Sequence, residues 1–274
     1  MNTNQAQFHP LSEKKLFIFD MDGTIYLGNQ PFDFAIRFIK NLRKNGKQVL
    51  FFTNNASRND GAYLEKLERL GFEPLQGEIM TSGDVTRTFL QRHRSGRTVY
   101  LVGTEALTED YRAAGIPLLR GDEDQADVVI TSFDTSLTYD KLEKACRFLR
   151  KGAEYLSTHP DLNCPTETGP IPDSGAIAAL VTAATGKTPT YFGKPYQETI
   201  EMISEVTGYD RKDMCVFGDR LYTDIALGKR FGVTSVLVLT GETTAEDVEA
   251  AEEKDRPDLI YPSLNEVDRE LFGE

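Results

Sequence analysis

Short apolar runs alternate with longer amphipathic segments along almost the whole chain. Leu16–Phe19 is the first apolar run, and the segment 33–45 then repeats apolar residues at helical spacing before Gly46. Val49–Phe52 is the next apolar run, and a second helical pattern covers 60–70. Strands that alternate with amphipathic helices are typical of a parallel sheet covered by helices. The pattern therefore predicts an α/β fold.

The same alternation between residues 88 and 188 indicates a self-contained unit. Its predicted strands are Val99–Val102, Val128–Ile130 and Tyr155–Ser157, and its long helix is Tyr139–Lys151. A polar, proline-rich loop then covers 158–173, and its length favours a functional role over a simple connection. We expect residues 1–87 and 189–274 to form the first and second parts of a core domain, with 88–188 inserted between them.

Three strand patterns follow the inserted unit. Thr190–Lys194 and Met214–Asp219 each combine a short strand with a polar loop. Ser235–Leu239 is the last clear core strand, and an acidic segment at 244–253 has a helical pattern. These strands are expected to complete the core sheet.

Composition and charge narrow the classes of function. The chain has 274 residues and a formal net charge of −12, which argues against a nucleic-acid backbone or an anionic membrane as the main partner. Its three cysteines, Cys146, Cys164 and Cys215, show no CxxC spacing, which favours a reducing compartment over a disulfide framework. The sequence lacks both an apolar run of about 20 residues, as a membrane span needs, and a secretory signal pattern. We therefore expect a cytoplasmic protein.

Polar side chains follow four of the predicted core strands. They are Asp20 with Asp22, Thr53 with Asn54, Lys194, and Asp219 with Asp224. The carboxyl ends of parallel strands meet at one edge of a sheet, where ligands bind. A single Asp after a strand is ordinarily a helix cap or a turn residue, and a single Lys is ordinarily solvated. Turn chemistry alone does not explain four such groups at four strand ends.

Taken together, these segments resemble the motifs of the haloacid dehalogenase-like (HAD) hydrolases, and within them the NagD-like phosphatases of subfamily IIA. The DxDG[TV] motif is matched by Asp20–Thr24, and the strand-ending Thr by Thr53 in the form TNN. The lysine motif is matched by Lys194, and the final acidic motif by Gly218–Asp224. The resemblance covers the chain from about residue 14 to the C-terminus. It implies a doubly wound, Rossmann-like core with a smaller inserted α/β cap domain.

The resemblance implies a phosphatase that hydrolyses small phosphomonoesters through an aspartyl-phosphate. Asp20 is expected to attack phosphorus, while Asp22 protonates the leaving group and then activates the hydrolytic water. Lys194 and Thr53, with backbone amides around Asn54, are expected to hold the phosphate oxygens as their charge redistributes. The sequence does not choose among nucleotide, sugar phosphate and similar metabolites as substrates.

A magnesium ion is the implied cofactor. Its expected protein ligands are a carboxylate oxygen of Asp20, the main-chain carbonyl of Asp22 and the carboxylate of Asp219, with waters completing an octahedron. Asp224 is expected either to bind the ion directly or to accept from a metal-bound water. The sequence leaves these two arrangements open.

Spacing indicates where a cap domain is inserted. About thirty residues separate Asp20 from Thr53, too few for a cap, whereas about 140 separate Thr53 from Lys194. The resemblance therefore implies a C2-type cap over 88–188 whose closure excludes water and selects substrate. His159 and Asp161, in a stretch similar to the subgroup's (T/N)xD, are candidate substrate contacts. The alternative is a proline-ordered loop with Asp161 as a turn residue, and Asp173 departs from the usual Gly of the next motif.

Other functions on the same fold remain open. A dehalogenase needs only the first Asp, so Asp22 and Asp219 argue against it. A non-enzymatic phospho-signalling receiver is about half this length and carries no cap. A phosphometabolite-binding module would not need both Asp20 and Asp22, and a phosphomutase usually has its cap at the first insertion point. The oligomeric state is also open, with a homodimer as the assembly that the resemblance suggests.

Overall fold

The computed structural model describes residues 11–57, 60–164 and 169–273. The described residues form two compact units. One comprises the described parts of Met1–Phe51, Arg69–Glu78 and Ser204–Glu274, and the other those of Phe52–Glu68 and Ile79–Ile203. The second unit is wider than the inserted domain expected at 88–188, whose bounds stay a prediction.

The strands are short and lie between the helices along the chain. They are β1 (Leu16–Phe19), β2 (Tyr26–Leu27), β3 (Gln30–Pro31), β4 (Gln48–Thr53), β5 (Ile79–Thr81), β6 (Val99–Val102), β7 (Val128–Thr131), β8 (Glu154–Ser157), β9 (Asn163–Cys164), β10 (Ile171–Pro172), β11 (Thr190–Tyr191), β12 (Met214–Gly218), β13 (Thr234–Val238) and β14 (Leu259–Tyr261). The strand bounds expected near residues 16, 49, 99, 128 and 155 are met to within one residue at each end.

The helices are α1 (Asp33–Lys44), α2 (Asp60–Arg69), α3 (Ser82–His93), α4 (Glu105–Ala113), α5 (Tyr139–Arg150), α6 (Ser174–Thr185), α7 (Gln197–Thr207), α8 (Ala226–Phe231), α9 (Ala245–Ala250) and α10 (Leu264–Phe272). A further helical turn at Leu221–Ile225 has π geometry. Within the described ranges, every helix is too short or too polar to cross a membrane.

The first unit is built on a parallel sheet in which β14, β13, β12, β1 and β4 are neighbours in that order. Every residue of β1 is buried, as expected for a strand covered on both faces. Phe19 is paired with Phe217 of β12 and stacks on its ring at a centroid distance of 4.9 Å. This register places the carboxyl ends of β1 and β12 side by side, so the residues that follow them become neighbours.

Helix α1 covers this sheet through one apolar face. Its buried residues Ala35, Phe38, Ile39 and Leu42 recur at helical spacing, and the ring of Phe38 meets that of Phe19 edge-on at 5.9 Å. The helix begins at Asp33, as the sequence pattern predicts, and ends at Lys44, one residue before the predicted end. The predicted α/β fold is therefore confirmed.

The second unit contains its own parallel sheet, in the order β11, β8, β7, β6. Helices α5 and α6 pack on this sheet. Side chains from both helices meet strand residues in one apolar cluster: Tyr100, Val102, Val129, Ala145, Cys146, Phe148, Leu149, Tyr155, Ile177 and Val181. This cluster explains why the segment reads as a self-contained α/β unit in the sequence.

One expectation about the core sheet is wrong. The strand before Lys194 was expected to belong to the core, but β11 pairs with β8 in the sheet of the second unit, with Thr190 opposite Leu156. A two-residue strand carries no pattern that specifies its neighbour, so tertiary packing decides the sheet to which it belongs. The acidic helix is also shorter than the expected 244–253, because the backbone leaves the helical region at Ala251.

Candidate functional site

Three carboxylates meet at the carboxyl edge of the first unit's sheet. Asp20 follows β1, Asp219 follows β12, and Asp224 lies in the turn Leu221–Ile225. One carboxylate oxygen of each residue lies within 4.8 Å of the corresponding oxygens of the other two. Asp219 and Asp224 are only 2% and 1% exposed, and Asp20 is half-buried. Three of the four expected metal-binding residues thus lie together.

Glycines make room for these carboxylates. A Cβ built on Gly218 would lie 2.1 Å from Cγ of Asp224, and one built on Gly241 would lie 2.0 Å from Oδ2 of Asp219. A Cβ on Gly23, whose φ is +84°, would lie 2.4 Å from the same oxygen of Asp219. Any larger residue at these positions would displace a carboxylate, so the glycines are part of the site.

The chain turns immediately after Asp20. Met21 is buried and its carbonyl accepts hydrogen bonds from the amides of Thr24 and Ile25 at 3.2 and 2.9 Å. Asp22 is exposed. The turn therefore separates two acidic residues that are two positions apart, with Asp20 in the cluster and the side chain of Asp22 open to solvent.

Asp219 is also held by the loop after β13. The amide of Glu242 donates to Oδ2 of Asp219 at 2.7 Å, and the amide of Thr243 donates to its main-chain oxygen at 3.1 Å. Hydrogen bonds to a carboxylate fix its orientation and stabilise its charged form. The sequence pattern had not identified this loop as part of the site.

Arg220 adds a positive charge beside the acidic cluster. Its Nε lies 3.0 Å from Oε2 of Glu242, and the hydroxyl of Tyr222 donates to Oε1 of the same Glu at 2.9 Å. Burial lowers the pKa of Arg220, but the negative charges of Asp20, Asp219 and Glu242 outweigh it, and the net shift is upward. Arg220 was not among the predicted site residues, although its place directly after Asp219 was a usable signal.

The three carboxylates fit a hard divalent cation. Carboxylate oxygens are the donors that magnesium and calcium prefer, and several negative charges this close together repel one another unless a cation compensates them. The glycine-lined packing of Asp219 and Asp224 keeps the oxygens convergent. The residues present therefore fit the expected metal.

In the second unit, Asn54 links Lys194 and Asp161. Oδ1 of Asn54 accepts from the amide of Lys194 at 2.7 Å, and Nδ2 donates to the main-chain oxygen of Lys194 at 3.0 Å. Nδ2 also lies 3.2 Å from both carboxylate oxygens of Asp161. The Lys194 side chain is 2% exposed, and its Nζ lies 5.4 Å from the centre of the Phe52 ring. Thr53, the last residue of β4, accepts at Oγ1 from the amide of Asn55 at 3.2 Å.

His159 lies inside a buried polar network. Its Nε2 is 2.8 Å from Oδ1 of Asp173, and its Nδ1 is 3.0 Å from Oγ1 of Thr158 and 3.2 Å from Oγ of Ser82. The residue is 0% exposed. Both ring nitrogens have protein partners, so the geometry gives no support to a direct substrate contact by His159. Sequence reasoning identified neither Ser82 nor the pairing with Asp173.

Replacing Gly218 with Ala is expected to lower the free energy of unfolding by about 1–3 kcal/mol, because the added Cβ overlaps the Asp224 carboxylate. Urea denaturation of the two proteins measures this loss. Gly103→Ala is the matched control, because there the new Cβ meets only the flexible side chains of Leu107 and Leu101, at 3.2 Å or more. Equal stability of Gly218→Ala and the parent protein would contradict the packing described here.

Two family models match the chain. The model described as haloacid dehalogenase-like hydrolase matches residues 17–117, and the one described as HAD-hydrolase-like matches residues 191–267. An acid sugar phosphatase from Staphylococcus saprophyticus is 34% identical over 257 residues, which cover 94% of this chain and 98% of the relative.

Solved structures show the same likeness. A 4-nitrophenylphosphatase from Thermotoga maritima is 41% identical with a TM-score of 0.89, and the match covers 96% of this chain and 100% of that one. A glycerol phosphate phosphatase from Mycobacterium tuberculosis, solved in complex with calcium, is 32% identical with a TM-score of 0.85, over 93% of this chain and 75% of that one. A structure of the same phosphatase in complex with magnesium also matches. The similarity extends over nearly the whole of the present chain.

Proposed function

Because the chain belongs to the haloacid dehalogenase-like hydrolases, and within them to the NagD-like phosphatases, we propose that it is a magnesium-dependent phosphomonoesterase that reacts through an aspartyl-phosphate. The observation that carries this proposal is the convergence of Asp20, Asp219 and Asp224 at the carboxyl edge of the first unit's sheet. Family membership supports a phosphoric monoester hydrolase. The metal and the intermediate are the proposed additions.

Asp20 is the proposed nucleophile. One of its carboxylate oxygens forms a bond to phosphorus while the bond from phosphorus to the ester oxygen breaks, and Asp22 gives its proton to the leaving alkoxide. Asp22 then takes a proton from water, the water oxygen attacks the aspartyl-phosphate, and inorganic phosphate leaves with the Asp20 carboxylate restored. The exposure of Asp22 supports a role in exchanging protons with leaving group and water.

Asp20, the main-chain carbonyl of Asp22 and Asp219 would hold magnesium, with Asp224 either as a fourth protein ligand or as the acceptor from a bound water. When bound, the ion supplies positive charge that neutralises phosphate oxygens. Arg220 adds a fixed positive charge near the same carboxylates. The acidic cluster is thereby matched to an anionic substrate that it would otherwise repel.

Lys194 and Thr53, with the backbone amides around Asn54, are the proposed phosphate-binding groups. The two hydrogen bonds between the Asn54 side chain and the Lys194 backbone support a fixed position for this lysine. The role of residues 88–188 as a C2-type cap that selects substrate stays a prediction. So does the direct contact of Asp161 with substrate.

The proposed substrates are small phosphomonoesters such as sugar or polyol phosphates. The relatives are named an acid sugar phosphatase, a 4-nitrophenylphosphatase and a glycerol phosphate phosphatase, and these names share the phosphatase activity and differ in the leaving group. A dehalogenase would not need the acidic cluster around Asp219, and a binding module would need no acid beside a nucleophile. Location in the cytoplasm and assembly as a homodimer stay predictions.

Removal of divalent metal is expected to abolish phosphate release from a panel of phosphomonoesters, because the charge of the acidic cluster and of the substrate would be uncompensated. The test is a colorimetric phosphate assay before and after dialysis against a chelator, followed by addition of magnesium in excess. Restored activity supports the metal assignment, and mock-dialysed protein is the control. Full activity in the chelated protein would rule out the metal, and no release from any ester with magnesium would overturn the proposed function.

A further inference from the structure

Two loop segments of the second unit, one with Asn54 and one with Thr158 and His159, are packed tightly against Gly193. A Cβ built on Gly193 would lie 2.7 Å from Oδ1 of Asn54, 2.8 Å from Cβ of His159 and 3.1 Å from the main-chain oxygen of Thr158. Gly193 has a φ of +75°, so both space and conformation demand glycine there. The backbone that leads into Lys194 therefore rests directly on the Asn54 side chain and the loop that carries Asp161.

The orientation of the Asn54 amide is decided by its neighbours. The amide of Lys194 is a donor and must face Oδ1, while the carboxylate of Asp161 is an acceptor and must face Nδ2. The Lys194 backbone disfavours the rotated amide, because rotation would place the NH₂ group against the Lys194 N–H. The negative charge of Asp161 adds to this preference, because it attracts Nδ2 and would repel Oδ1. Asn54 is 7% exposed, so water does not readily replace these partners.

Asp161 is itself anchored to the start of helix α6. Its main-chain oxygen accepts from the amide of Gly175 at 2.8 Å, and a Cβ built on Gly175 would lie 2.0 Å from the main-chain oxygen of Pro160. Asp173 is the N-cap of this helix and accepts from the amide of Ser174 at 2.6 Å. The loop that carries Asp161 and the start of helix α6 are thus joined by hydrogen bonds.

The pair of His159 and Asp173 connects the loop and the start of helix α6 to helix α3. Oδ1 of Asp173 is 2.8 Å from Nε2 of His159, which makes this nitrogen the donor, and Nδ1 lies 3.0 Å from Oγ1 of Thr158 and 3.2 Å from Oγ of Ser82. The Ser82 hydroxyl donates its one proton to the main-chain oxygen of Asn54. A chain of buried contacts therefore runs from Asp173 through His159 and Ser82 back to Asn54.

We propose that Asp161, anchored by the buried pair of His159 and Asp173, is a positioning residue that fixes the Asn54 amide and through it the backbone of Lys194. This proposal rests on the proposed function, in which Lys194 binds the phosphate group. It assigns Asp161 an effect on the phosphate that every substrate shares. A direct contact would act instead on the leaving group, which differs among substrates.

The two roles give different patterns of substrate dependence. If Asp161 acts through Asn54, Asp161→Asn lowers kcat/KM by the same factor, about 10- to 100-fold, for 4-nitrophenyl phosphate, glycerol phosphate and a hexose phosphate, because a displaced lysine misaligns the common phosphate. The inhibition constant of inorganic phosphate rises by a similar factor. A loss confined to the larger substrates, or an unchanged inhibition constant, would overturn the proposal.

A double-variant cycle tests the route of the effect. Because Asp161 acts through Asn54, adding Asp161→Asn to Asn54→Ala is expected to cause no further loss in kcat/KM. A loss in kcat/KM of the double variant that equals the product of the losses of the two single variants would overturn the proposal. Neither variant removes the buried pair of His159 and Asp173, so both leave that part of the packing in place.

Asp134→Asn is the matched control. Asp134 is a carboxylate of the same unit with a side chain that is 0% exposed, and it forms an ion pair with Lys141 at 2.6 Å and hydrogen bonds with Ser136. Its replacement is expected to lower thermal stability while leaving the inhibition constant of phosphate unchanged. In the same assays, Asp20→Asn tests the proposed function separately. If Asp20→Asn retains full activity the function fails, and if it is inactive while Asp161→Asn acts on only some substrates, the positioning role alone fails.

Discussion

Replacement of Asp20 with Asn is expected to lower the turnover of phosphomonoesters by about 10³-fold or more, as for other variants that lose a catalytic nucleophile. Asn has nearly the same shape as Asp but lacks the anionic oxygen that attacks phosphorus. Because Asp20 is half-buried at the end of β1, the isosteric change leaves the surrounding packing intact. The loss should therefore lie in kcat, while the thermal stability of the metal-free protein should hold or rise, because one of three mutually repelling carboxylates is removed.

The measurement for Asp20 has two parts. Steady-state assays give kcat, and acid quenching with labelled substrate shows whether the parent protein traps a covalent phosphate that the variant lacks. Asp213→Asn is the control, because Asp213 lies directly before β12, at the opposite end of the strand that leads to Asp219, and pairs with Lys15 at 3.3 Å. Undiminished turnover by Asp20→Asn would exclude the proposed nucleophile.

Replacement of Asp219 with Asn is expected to weaken magnesium binding by about 100-fold or more, since an anionic ligand becomes neutral. Phosphatase activity at moderate magnesium should fall with it. In the metal-free protein, however, the stability should hold or rise, because one of three mutually repelling carboxylates is removed. Calorimetric titration with magnesium and thermal melting with and without the ion measure these effects.

Two comparisons sharpen the Asp219 experiment. Asp224→Asn is expected to lose less affinity than Asp219→Asn if Asp224 accepts from a bound water, and as much if it binds the ion directly. Asp258→Asn is the control in the same unit, because Asp258 pairs with Lys229 and accepts from Ser235, so its loss lowers stability alone. Parent-like magnesium affinity in Asp219→Asn would remove Asp219 from the metal site.

The regular elements were the most predictable part of the fold. The buried strand β1 and the apolar face of α1 consist of residues that are close together in sequence. The periodicities of strands and helices therefore predict them. The sheet to which a short strand belongs was harder to predict. β11 is two residues long, and its sheet could not be inferred because nothing in Thr190 or Tyr191 specifies β8 as a partner.

Part of the candidate site was predictable from residue type and position. Asp20 and Asp219 were recognisable because a carboxylate after a parallel strand, repeated at several strands, indicates a ligand-binding edge. The environment of His159 was not recognisable. A histidine in a polar loop suggested a substrate contact, whereas the fold buries it against Asp173 and Ser82.

By itself, the sequence therefore determined the α/β class, the order of the functional segments and the family to which they belong, because periodicity and motifs are properties of nearby residues. Only the tertiary structure decided that Glu242 holds Asp219 and that Asn54 holds the backbone of Lys194. Members of these pairs are separated by 23 and 140 residues. Hydrogen bonds across such separations depend on which loops are brought together by packed strands and helices, and that information is distributed over the whole core.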